Sequence, residues 1–94
     1  MATRMRFDAQ KFTHDNFLAS TTASSRTLPA KTNFVLVDNL DASISILVSL
    51  DAGLNFKTVK AGNSLSVDCD SLASLYIKSA SGTPSVECLY GSEA

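Results

Sequence analysis

Residues 43–50, Ser43-Ile44-Ser45-Ile46-Leu47-Val48-Ser49-Leu50, carry the pattern that decides the fold. Ile44, Ile46, Val48 and Leu50 recur at every second position, with Ser43, Ser45 and Ser49 falling between them. Side chains alternate across an extended chain, so this spacing describes a strand with one face in a core and the other in water. The same alternation returns in 64–69 (SLSVDC), 73–78 (ASLYIK) and 85–90 (SVECLY). Residues 34–37 (FVLV) are apolar on both faces, which predicts a central strand or one covered by another segment. Residues 56–59 (FKTV) are a shorter candidate. Turn-forming residues separate these runs: Asp38, Asn39 and Asp41, then Asp51-Ala52-Gly53, Ala61-Gly62-Asn63, 68–71, and Ser81-Gly82-Thr83-Pro84. Six short strands so spaced predict an all-β chain, a small antiparallel β-sandwich or jelly-roll-like barrel.

Outward from this region the pattern changes. Residues 19–31 (ASTTASSRTLPAK) are rich in Ser, Thr and Ala and contain Pro29, which biases Leu28 to an extended conformation. They read as a linker, and 1–31 as an N-terminal extended arm before a β-sandwich domain at 32–94. Phe7, Phe12 and Phe17 recur at a spacing of five, which suits neither a helix nor a strand. Two readings stay open there: a short helix around 8–18, or an extended arm seating each Phe in its own pocket. The pockets, in turn, belong either to a neighbouring subunit or to the chain's own domain. A fully buried Phe contributes roughly 1.5–3 kcal/mol, enough to anchor such an arm.

The chain has 94 residues, of which 18% are charged, and a net charge of −1. One small domain leaves no room for a cofactor-binding module beside a substrate module. The near-zero total hides an asymmetry. Five basic residues (Arg4, Arg6, Lys11, Arg26, Lys31) against Asp8 and Asp15 give +3 up to residue 31, and three lysines against seven carboxylates give −4 beyond it. This balance lacks the basic excess of a direct nucleic-acid binder. No apolar run suggests a signal peptide or a membrane span, so no membrane partner is expected. Cys69 and Cys88 fall on apolar faces, and without a secretion signal they read as two reduced thiols in a core.

Signs of catalysis are sparse. His14, the single histidine, has no nucleophile elbow to serve and reads as a surface or packing residue. Asp68 and Asp70 flank a turn without the further ligands and glycine of a Ca²⁺ loop, and read as solvated carboxylates. No cysteine or histidine spacing suggests a metal, and no phosphate or dinucleotide motif occurs. The expectation is a non-enzyme with no cofactor.

From Arg26 to Glu93 the chain resembles small β-sandwich virion proteins of tailed bacteriophages, of the capsid decoration or cement type. The resemblance rests on a strand ending in Asn39, a strand closed by Asp51-Ala52-Gly53, the turn Ala61-Gly62-Asn63-Ser64-Leu65, and the hairpin Ser81-Gly82-Thr83-Pro84-Ser85-Val86. It implies a virion structural protein on the outer surface of the capsid. Its partners would be the major capsid protein and copies of itself, a trimer being favoured. A tail or fibre module binding a receptor or carbohydrate is the alternative. On this reading the contact residues are Arg4, Arg6, Phe7, Phe12 and Phe17, the arginines meeting acidic residues of the shell.

Overall fold

The computed structural model describes the backbone at residues 7–29, 31–69 and 72–93 and the side chains at 13–29, 31–69 and 72–91. Arg4 and Arg6 lie outside the described residues. Eight strands form: β1 (Phe7–Leu18), β2 (Ser24–Thr27), β3 (Phe34–Asn39), β4 (Ile46–Ser49), β5 (Lys57–Val59), β6 (Ser64–Asp68), β7 (Ser74–Ser79) and β8 (Ser85–Glu93). They make two four-stranded sheets, ordered β1-β8-β3-β6 and β2-β7-β4-β5, with every pairing antiparallel. The pairs β1 with β8, β2 with β7, β3 with β6 and β4 with β5 are nested, as in a long hairpin wrapped into two layers. This is the double-sheet jelly roll expected from the alternation.

The core follows that alternation residue by residue. Val35 and Val37 from β3, Ile46 and Val48 from β4, Leu75 and Ile77 from β7, and Val86, Cys88 and Tyr90 from β8 are buried between the sheets. β-Branched residues dominate because their restricted χ1 suits a pleated, half-buried surface. The two-sided run at 34–37 belongs to a strand paired on both edges, with β6 on one side and β8 on the other.

Residues 7–31 differ most from expectation. The segment is extended, but it is docked on its own domain. β1 pairs with β8 from Phe17 opposite Val86 to Phe12 opposite Gly91, and β2 pairs with β7. The Ser/Thr-rich stretch is the crossing from one sheet to the other, and two of its apolar residues, Ala19 and Leu28, belong to the core. Packing therefore places no boundary at 31/32. Hydrogen bonds hold the crossing: Ala19 N donates to Pro84 O at 2.9 Å, and Ser79 N donates to Ser20 O at 2.8 Å. The physical reason is that β8 would otherwise expose a full edge of unpaired N–H and C=O groups, which β1 covers.

Asn39 locks one end of the sandwich. It is buried, and its Nδ2 donates to Ile44 O at 2.8 Å and to Val59 O at 3.0 Å, while its Oδ1 accepts from Asp41 N at 3.1 Å. Asn39 closes β3 in one sheet and Val59 closes β5 in the other, so a single amide ties the layers together. Gly82 turns the chain between β7 and β8 at φ +58°, where an added Cβ would lie 3.1 Å from Ile44 Cδ1.

Candidate interaction surface

The strand register assigns the outward face of the β1-β8-β3-β6 sheet. One row reads Leu18, Ser85 and Leu40; the next Asn16, Glu87, Asp38 and Ser64; the next His14, Leu89, Leu36 and Ser66. Leu18 and Leu40 are 67% and 52% exposed, large values for apolar side chains so close together. Leu36 and Leu89 are half-buried and line a shallow cleft of about 130 Å³ with His14, Asp38 and Glu87. Asp38 and Glu87 stand directly opposite each other across β3 and β8. Like charges so placed are destabilising unless something answers them. Asp68 adds a third carboxylate to this face, and no lysine or arginine lies on it among the described residues.

The outward face of the other sheet differs. Its register aligns Ser25 with Tyr76, Thr27 with Ser74, and Lys78 with Leu47 and Thr58. The Lys78 ammonium sits 4.4 Å from the Phe56 ring centroid, so that aromatic residue is already covered by a cation. The two faces are thus chemically distinct: one apolar and anionic, the other hydroxyl-rich with a lysine.

Polar groups also meet inside the sandwich, at the β1/β2 edge. Tyr90 Oη donates to Asp15 Oδ2 at 3.1 Å, and Arg26 Nε lies 3.5 Å from the same oxygen, an ion pair without hydrogen-bond geometry. The Arg26 guanidinium stacks 3.7 Å from the centroid of Phe17. Inward positions on β1 and β2 cause this convergence, because Asp15 aligns with buried Cys88 and Arg26 with buried Leu75. Burial, then the hydrogen bond to Asp15, pushes the Tyr90 phenol up to about 12. Burial, then the Asp15 charge, pushes the Cys88 thiol up to about 12, which makes it a poor nucleophile.

The five residues expected to make contacts fare differently. Phe17 is half-buried against the core and capped by Arg26, so it anchors β1 to its own domain rather than to a neighbour. The reason is alternation: residues 15 and 17 point inward once β1 joins the sheet. Phe7 and Phe12 lie in β1 opposite Glu93 and Gly91, with side chains outside the described residues, as are Arg4 and Arg6. The register, by contrast, brings Asp38, Glu87, Leu18 and Leu40 onto one face, although no motif marks them. The alternation around 85–90 is the signal that could have found Glu87. Cys69 and Cys88 are both free thiols.

No family model matches the chain, and no curated protein is detectably similar to it in sequence. Solved structures are similar in fold. A Cupin_2 domain of an XRE family transcriptional regulator from Enterobacter cloacae aligns over 90% of this chain and 86% of its own, at 20% identity and a TM-score of 0.61. A protein of Bacillus endospore appendages, described as disulfide-linked pili, aligns over 84% and 80% at 12% identity and a TM-score of 0.60. The chain shares the fold of these β-sandwiches. The Fe(II) enzyme HppE aligns over 87% of this chain and 44% of its own, at 11% identity and a TM-score of 0.58. At these identities the likeness concerns fold alone.

An iron centre needs a convergent ligand set, such as two histidines and a carboxylate on one open site. Here His14 lies on an outward row, the inward cluster offers Asp15, Tyr90, Cys88 and a cationic Arg26, and no group of three His, Cys, Asp or Glu converges among the described residues. These residues do not fit such a centre.

Proposed function

We propose that this chain is a structural binding protein of a tailed-phage virion, a decoration subunit that sits on the outer surface of the capsid and stiffens it by adding contacts. The observation that carries this reading is the outward face of the β1-β8-β3-β6 sheet, where Leu18, Leu40, Leu36 and Leu89 surround an unanswered carboxylate pair. Soluble domains rarely display such a face without a partner for it. The low charge content and the resemblance of 26–93 to phage sandwich proteins support a role in assembly. Occupancy of a repeated shell lattice multiplies weak contacts, so a modest face suffices.

Co-sedimentation of the purified protein with mature and empty phage heads tests this. Saturable binding that weakens in Leu18→Ser/Leu40→Ser is expected, and absence of binding to every head preparation would overturn the virion reading. A fibre-borne carbohydrate module would instead use Phe56 and Tyr76 on the opposite sheet, and a glycan array distinguishes it.

A further inference from the structure

The carboxylate pair on the β1-β8-β3-β6 sheet faces outward with His14 in the same cleft but no lysine or arginine on that face among the described residues, while the chain's own strongest basic run is Arg4-Met5-Arg6. We infer that the Asp38–Glu87 face receives the basic N-terminal segment of a second copy of this chain, so that copies associate head to tail. This contact between copies, of the kind the resemblance implies, sits at the carboxylate pair beside the Leu18–Leu40 row left to the shell, and it rests on the proposed function.

Three observations favour this occupant. Charge is the first: Asp38, Glu87 and Asp68 share the face without a lysine or arginine among the described residues, whereas residues 4–7 carry two arginines and no carboxylate. Spacing is the second. Alternate residues of an extended segment project to one side about 6.6 Å apart, so Arg4 and Arg6 suit two carboxylates on adjacent strands about 5 Å apart. The apolar residues flanking the pair, Leu40 on one side and Leu36 and Leu89 on the other, would cover the arginine stems.

Reach is the third. Phe7 stands opposite Glu93, six residues along β8 from Glu87, a separation of about 20 Å. Arg4 is three residues before Phe7 and spans at most about 11 Å of chain, and Arg6 less. Both arginines cannot reach the pair together within one molecule. Two copies meeting face to face would instead press carboxylate on carboxylate, which opposes an isologous dimer through this surface. The contact is therefore between unlike surfaces, segment on face, and in the head-to-tail arrangement it closes as a ring or continues as a row.

Sedimentation velocity of the full chain over a concentration series tests it. Wild-type protein self-associates, and raising salt from about 0.05 to about 0.5 M weakens this. Asp38→Lys/Glu87→Lys and Arg4→Glu/Arg6→Glu each weaken it roughly tenfold or more, while the two variants mixed form a 1:1 complex, and all four substitutions in one chain restore association. Asp38→Asn/Glu87→Gln repeats the loss with less perturbation, and near-UV circular dichroism confirms that each variant is folded. A wild-type chain that stays monomeric overturns the inference. So does association lost in the carboxylate variants but kept in the arginine variants, which would mean a different occupant. Failure of head binding with this charge pattern intact removes the virion reading and leaves the contact standing.

Discussion

Replacing Asp15 with alanine probes the edge where β1 and β2 meet. Its carboxylate accepts from Tyr90 Oη at 3.1 Å and neighbours Arg26 Nε at 3.5 Å, with 21% of the Asp15 side chain and 30% of the Arg26 side chain exposed. A hydrogen bond to a charged acceptor contributes about 1.5–3 kcal/mol, and its loss here leaves a buried phenol unpaired. The Arg26 pair adds at most about 1 kcal/mol, because a guanidinium with this exposure rehydrates when its partner is removed. Asp15→Ala should therefore cost about 2–4 kcal/mol, a fall of roughly 10–20 °C in Tm for a domain of this size. Tyr90→Phe, which leaves Asp15 with its arginine, should cost about 1–2 kcal/mol. Urea unfolding followed by far- and near-UV circular dichroism measures both, and a double-mutant cycle isolates their coupling. A cost below about 0.5 kcal/mol for Asp15→Ala, in a protein where Val37→Ala costs about 2 kcal/mol or more, would refute the assignment of this cluster as the closure of the edge.

Other consequences are as direct. Asn39→Ala removes the amide that bridges Ile44 and Val59 and should cost about 2–4 kcal/mol by the same unfolding measurement, with Asn39→Asp rescuing little because it cannot donate to either carbonyl. Alkali should unfold the protein progressively. Cys88 and Tyr90 are raised from about 9 and 10 to about 12, so the stability they contribute is complete below pH 9 and is lost as pH rises from 9 to 12. Cys88→Ala should move the onset of that loss towards pH 10 in a pH-jump unfolding series, and an unchanged onset would count against the assignment. Deleting residues 1–25 removes β1 and half of β2, and should yield a chain without cooperative thermal unfolding rather than a trimmed but folded domain.

Half of the candidate surface could be read along the chain, because local alternation sets which residues face outward. The period-two runs at 43–50, 64–69, 73–78 and 85–90 locate four strands, and Asn39 with Asp41 locates the turn that closes β3. Phe17 shows the limit. In the sequence it is one of three phenylalanines at a spacing of five, whereas in the fold it is an inward residue whose ring is covered by Arg26, nine positions away. Nothing in a local pattern relates β1 to β8, since their pairing spans most of the chain.

A β protein with one apolar face to each strand is written locally in the chain, because side-chain alternation is a property of neighbouring residues. Which strands pair is settled in three dimensions, and pairing decides which side chains meet. Asp38 and Glu87 are 49 positions apart and become opposed carboxylates solely because β3 lies beside β8. Arg26 becomes a partner of Asp15 only because the two sheets bring their edges together. Charges act through space, and it is the antiparallel register that sets their distances.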